Sequence, residues 1–212
     1  MKISKGRQEA GIVVGNTYDK YNSKNPIARK LVQGFSDALS ELVATLDVKE
    51  IHEVGCGEGY WTLQWKAQGY TARGSDFSSI VIDLARQNAA ARDIDIQFKV
   101  SDIYDLEPEA DAAELVVCCE VMEHLEKPEQ ALEILTRLAR PYLIVSVPRE
   151  PIWSYMNMAR GKYWSSLGNT PGHIQRWSKR SYLDLLKRYV DVLAVRSPLP
   201  WTMALCKVRD GT

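Results

Sequence analysis

Glycines at positions 55, 57 and 59 follow a short apolar stretch, and this spacing restricts the fold more than any other feature of the chain. Glycine tolerates positive φ and has no Cβ, so such a run turns a strand tightly into a helix and lets bare backbone approach a ligand. A dinucleotide site of the G-x-G-x-x-G kind needs its third glycine at position 60. Position 60 is Tyr60, so the third glycine comes one residue early. Glu53, two places before the first glycine, puts a carboxylate where a cationic group rather than a phosphate would be attracted. The ligand so described is a nucleoside with a positive centre and no pyrophosphate.

Around this turn, strands and helices alternate. Strands are predicted over 50–54, 71–75, 96–100, 115–119 and 142–147, with helices over 58–68, 78–92 and 128–140. Ser78 suits an N-cap, and Pro128 suits a first helical turn. Residues 115–119 are apolar throughout, as in a strand covered on both faces. Before the alternation, apolar residues recur at helical spacing over 26–46, with Pro26 opening the helix. After it, a helix is expected over 178–189 and strands over 190–196 and 203–208, the last two antiparallel across a Pro-containing connection. The expected architecture is α/β: a doubly wound, Rossmann-like, seven-stranded sheet, mostly parallel with an antiparallel C-terminal strand, plus a small cap. One domain spans 1–212, with 1–47 as an N-terminal helical cover and 149–177 as an inserted substrate cap. Ligands of such sheets sit beyond the carboxyl ends of the strands.

Composition narrows the partners. Lys plus Arg and Asp plus Glu are each 27, and this neutral balance argues against a wholesale nucleic-acid binder. No apolar run reaches the length of about 20 residues that spans a bilayer. The N-terminus leads into no apolar signal core, and the four cysteines form no C-x-x-C pair, so a cytoplasmic protein with reduced thiols is expected.

With Glu53, Gly55, Gly57 and Gly59 as its first motif, the chain resembles a class I S-adenosylmethionine-dependent methyltransferase over most of residues 50–148. Asp76, in Gly74-Ser75-Asp76-Phe77-Ser78, and Asp102, in Ser101-Asp102-Ile103, meet the next two motifs. The resemblance implies S-adenosylmethionine as cofactor, with Asp76 holding the ribose hydroxyls and Asp102 near the adenine amine. Cys56, Phe77, Ser101, Ile103 and Glu120 complete the implied contacts, with Tyr21 folding over from the Tyr18–Tyr21 segment. Helix capping or turn formation is the competing role for Asp76 and Asp102.

The segment Glu120-Val121-Met122-Glu123-His124 begins where the fourth predicted strand ends. If it turns helically, Glu120, Glu123 and His124 share a face, a donor set able to bind a divalent cation. Its E-x-x-E-H pattern is similar to that of ubiquinone-pathway O-methyltransferases and of methyltransferases acting on small-RNA 2′-hydroxyls, both associated with metal. The small-RNA group adds a His within a His-x-x-x-Trp-like segment, matched here by His173 to Trp177. The resemblance thus implies a metal (Mg, Mn or Zn) at Glu120, Glu123, His124 and His173. A metal-free site with His124 or His173 as general base is the second reading, and structural hydrogen bonding is the third. His52, within the first of the alternating strands, reads as a packed or capping side chain.

Between 149 and 177, Trp153, Tyr155, Met156, Met158, Tyr163 and Trp164 suit an apolar substrate pocket, an interfacial patch or simply the core of the cap. Arg149, Arg160, Lys162 and Arg176 among them would hold an anionic substrate group or stand solvated. The expected reaction is methyl transfer to a hydroxyl of a small molecule, aromatic or lipid-like. An RNA 2′-O-methyltransferase and a non-catalytic S-adenosylmethionine-binding protein are the alternatives.

Overall fold

The computed structural model describes residues 1–9 and 11–209. Its elements in chain order are β1 (Gln8–Glu9), β2 (Ile12–Val13), α1 (Pro26–Ala44), β3 (Glu50–Val54), α2 (Tyr60–Ala67), β4 (Thr71–Asp76), α3 (Ser79–Ala90) and β5 (Gln97–Val100). Then follow α4 (Pro108–Asp111), β6 (Ala113–Cys119), α5 (Pro128–Leu138), β7 (Ala139–Pro148), α6 (Ile152–Ala159), α7 (Lys179–Leu186), β8 (Val190–Arg196) and β9 (Trp201–Val208).

β3 to β9 form one seven-stranded sheet in the order β5-β4-β3-β6-β7-β9-β8. The pairs from β5 to β7 are parallel, whereas β9 runs antiparallel to both β7 and β8. Strand order reverses at β3, which has β4 on one side and β6 on the other, and that switch point opens a crevice at the carboxyl ends. The architecture is the one expected, with β9 as the reversed strand.

Both faces of the sheet are covered, which explains the unbroken apolar run of β6. Leu115 and Val117 pack on one side with Leu39, Leu42 and Trp65, while Val116 and Cys118 pack on the other with Leu132, Leu135 and Leu186. All four β6 side chains are fully buried. α1 is opened by Asn25, whose side chain accepts from the N–H groups of Ile27 and Ala28, and Pro26 needs no donor there.

Some boundaries differ from the sequence reading, each for a local reason. α2 starts at Tyr60 rather than 58 because Gly59 is left-handed (φ 79°) and serves as the N-cap. α5 yields to β7 at Ala139, since Pro141 disfavours helical backbone at the residue before it. β9 begins at Trp201, two residues earlier than expected. The hairpin of β1 and β2 was not anticipated, because two-residue strands carry no readable period.

Candidate active site

The glycine turn leaves β3 and enters α2. Gly55, Gly57 and Gly59 all have positive φ (78°, 52° and 79°). At Gly55 a Cβ would lie 2.2 Å from Val121 Cγ2, and at Gly59 it would lie 2.7 Å from Phe98. At Gly57 it would meet nothing within 4 Å, so the turn faces open space at that residue alone of the three. The Gly57 N–H donates to Asp76 Oδ2 at 2.9 Å, and Ser78 N–H donates to Asp76 Oδ1 at 3.0 Å. Asp76 therefore closes a turn and faces the glycine loop with the same carboxylate. Burial raises its pKa to about 6, against the opposing pull of those two N–H groups.

The neighbouring residues divide between the crevice and the interior. Cys56 is buried against Gly74, where a Cβ would lie 2.8 Å from its sulfur. Glu53 is also buried and accepts from Thr62 N (2.8 Å) and Thr62 Oγ1. Its carboxylate anchors α2 to β3, and burial pushes its pKa up to about 8. Phe77 is exposed beside Asp76. Ser101 donates its N–H to the Asp76 carbonyl, and Ile103 is buried. Asp102 Oδ1 caps the short turn Ile103–Asp105 by accepting from Tyr104 N at 3.1 Å. Tyr21 lies flat on Tyr60, with ring centroids 3.4 Å apart, and so covers the start of α2.

The acidic-His segment does not form the helical face expected of it. Glu120 takes a left-handed conformation (φ 60°), and a single 3-10 turn, Met122–His124, follows. Glu120 is not one of the donors that converge there. It accepts from Ser146 Oγ (3.1 Å) and Trp201 Nε1. Glu123, His124 and His173 do converge, offering ligand atoms that all lie within 4.8 Å of one another. The Glu123 carboxylate is buried, and neither of its oxygens has a hydrogen-bond partner. Burial, reinforced by the nearby Glu120, drives its pKa well up. Burial also raises the Glu120 pKa. The positive charge of Lys20, next to Tyr21, counteracts the rise at Glu53, Glu120 and Glu123.

Each histidine is held from outside. His124 Nδ1 lies 2.9 Å from the Gly172 carbonyl, which fixes that nitrogen as the donor and leaves Nε2 as the lone-pair atom. Its ring meets His173 edge-on at 4.8 Å. Trp153 stacks on His173 at 5.6 Å and approaches Trp201 at 5.9 Å. Burial, then the facing His124, lowers the His173 pKa to about 4, so the ring is neutral at pH 7. Ile174 and Gln175 donate their N–H groups to the Glu123 carbonyl, joining the 170s loop to the 120s loop. An unpartnered buried carboxylate beside two neutral imidazoles fits a divalent cation well. His52 lies apart, buried between Ser75 Oγ (2.9 Å) and the Asp111 carbonyl (2.7 Å), as a packed side chain.

Polar bonds tie together parts of the segment 149–177. Glu150 accepts from Ser154 and pairs with Arg176, while Asn157 donates to the Gly168 carbonyl at 2.8 Å. Two participants carried no sequence signal. Trp201, far from Glu120 in sequence, donates its Nε1–H to the Glu120 carboxylate. Glu58 passed unassigned inside the glycine run, yet its buried carboxylate accepts three hydrogen bonds from Ser4 and Asn16.

Known proteins share the methyltransferase domain and the fold. Residues 51–142 match a family model described as a methyltransferase domain. A ubiquinone biosynthesis O-methyltransferase of Coxiella burnetii is 24% identical over 177 residues, covering 76% of this chain and 71% of that protein. One from Alkalilimnicola ehrlichii is 28% identical over 166 residues, covering 70% and 66%. The crystal structure of magnesium protoporphyrin IX methyltransferase from Synechocystis PCC 6803 with bound SAH shares the fold. Its TM-score is 0.69 at 18% identity, with 90% of this chain and 91% of that one covered.

Proposed function

We propose that the chain is a class I S-adenosylmethionine-dependent methyltransferase and that it methylates a hydroxyl oxygen of a small aromatic molecule. The observation that carries this reading is the buried, unpartnered Glu123 carboxylate beside His124 and His173, on the same rim as the glycine turn. S-adenosylmethionine, when bound, supplies an electrophilic methyl group. Gly57 gives it open backbone, and Asp76 accepts from the ribose hydroxyls with oxygens already aimed at the turn. Phe77, Asp102 and Ile103 flank the base, and Tyr21 covers the entrance from the N-terminal side.

Glu123, His124 and His173 would hold a divalent ion, which as a Lewis acid lowers the pKa of a hydroxyl and favours its deprotonated form. Glu120 stays outside that set and, through Ser146 and Trp201, shapes the wall between ion and cofactor. The indoles of Trp153 and Trp201 present faces against which an aromatic acceptor packs, and they exclude water. Orientation of the oxygen toward the methyl group then provides much of the rate. Ubiquinone biosynthesis O-methyltransferases among the relatives favour oxygen as the acceptor. Among the described residues no helix is long and apolar enough to cross a membrane.

The test uses dihydroxyphenols as acceptors, after exhaustive chelation and with Mg, Mn or Zn restored singly. Activity is expected to vanish on chelation, to return with at least one ion, and to stay low in Glu123→Gln. Full activity of the chelated protein would remove the ion from the mechanism. Methylation of amines in preference to hydroxyls would overturn the choice of oxygen.

A further inference from the structure

The residue between the second and third glycines of the turn is not a spacer. Glu58 is 1% exposed, although it is a carboxylate within a loop that must admit a ligand. Its Oε1 accepts from Ser4 N (3.0 Å) and Asn16 N (2.7 Å), and its Oε2 accepts from Asn16 Nδ2 (2.6 Å). Its main-chain carbonyl accepts from Asn88 Nδ2, and the same Asn88 side chain binds Lys2 on both its N–H and its carbonyl. The glycine turn thus fastens the N-terminal strap at Lys2, Ser4 and Asn16.

The rest of the strap is built to lie on that turn. Ser4 Oγ donates to the Val14 carbonyl at 2.6 Å and closes the strap into a loop. Gly15, at φ 61°, sits so close that a Cβ would lie 2.4 Å from Glu58 Oε1. At the other end of the loop Glu9 accepts from Ser78 Oγ, Ser79 N and Ser79 Oγ, beside Asp76. Little apolar surface holds the strap down: Val14 is buried, while Ile12 and Val13 are 51% and 44% exposed. An element held by a few polar bonds opens locally at far lower cost than one held by a core.

We propose that Glu58 is a positioning residue that latches the N-terminal strap to the glycine turn and thereby sets how slowly the spent cofactor leaves. This rests on the cofactor reading above. The latch carboxylate and the cofactor backbone contacts belong to consecutive residues, so a turn shaped by bound nucleoside holds the strap better. By reciprocity a closed strap holds the nucleoside longer.

The experiment measures S-adenosylhomocysteine dissociation by stopped-flow competition in the full chain, for wild type, Glu58→Ala, Asn16→Ala and Asp76→Ala. Asn16→Ala removes the side-chain latch bond from Asn16 Nδ2 to Glu58 Oε2 and leaves the turn intact, so it decides the matter if Glu58→Ala folds poorly. The off-rate is expected to rise about tenfold or more in both latch variants, as for loss of a hydrogen bond to a charged group. Trypsin cleavage at Lys5, Arg7 and Lys20 should be slowed by S-adenosylhomocysteine in wild type and much less so in Asn16→Ala. An off-rate within twofold of wild type in Asn16→Ala, with Asp76→Ala still weakening binding, would overturn the latch alone. Unchanged binding in Asp76→Ala would instead undo the cofactor assignment.

Discussion

Asp76 shows how one carboxylate serves both a turn and a ligand. Sequence reasoning set capping against ribose binding as alternatives, but in the structure the carboxylate makes its turn contacts while still facing the glycine loop. Asp76→Ala should weaken S-adenosylhomocysteine binding by about 1.5–3 kcal/mol, measured by calorimetry. Equal affinities would mean that the ribose lies elsewhere. Other residues were less legible. Glu120, Glu123 and His124 could be placed near one another from spacing, but their faces depended on a helical turn that the left-handed Glu120 prevents. The 3-10 turn keeps Glu123 and His124 together and turns Glu120 toward Trp201, a partner 81 residues away. No local pattern announces a bond of that range.

At the scale of elements, the strand–turn–helix unit was readable because its constraints are local: a buried strand, three left-handed residues, then a helix start. The unit is also coupled to the next loop, as Val121 fills the space where a side chain at position 55 would sit. Gly55→Ala combines a positive φ, which costs roughly 1–2 kcal/mol for a residue with a Cβ, with a collision against a stiff β-branched side chain. It is expected to lower both Tm and S-adenosylhomocysteine affinity. A variant with native Tm and native affinity would show that the 121–124 loop is not packed on the turn. The long elements α1 and β6 were legible for a different reason, since their periodicity reports which faces are covered. The β1–β2 hairpin is held by hydrogen bonds that Glu9 accepts from Ser78 and Ser79 rather than by an apolar face, so it left no pattern to read.

For the whole molecule, stability carries two opposed pH limbs that begin on adjacent residues of β3. Glu53 is buried, and its pKa is raised from an ordinary 4.5 to about 8, so its contribution is complete below about 4.5 and is lost as pH rises through 8. His52 is buried neutral, its pKa lowered from 6.5 to about 4, so its contribution is complete above 6.5 and is lost as pH falls through 4. Glu53→Gln should therefore gain on wild type in denaturant unfolding as pH rises from 5 to 9. A difference that does not change with pH would mean that the Glu53 carboxylate is ionised in the native state throughout. The reversed strand has a consequence in time rather than in energy. β8 is made before β9, yet β9 is its neighbour in the sheet and also delivers Trp201 to the rim. During synthesis β8 must wait unpaired until residues 201–208 have emerged, so the crevice wall matures late and long-range pairing sets its pace. A nascent chain halted before residue 201 would present an orphan strand and half a wall, a species suited to chaperone capture rather than to catalysis.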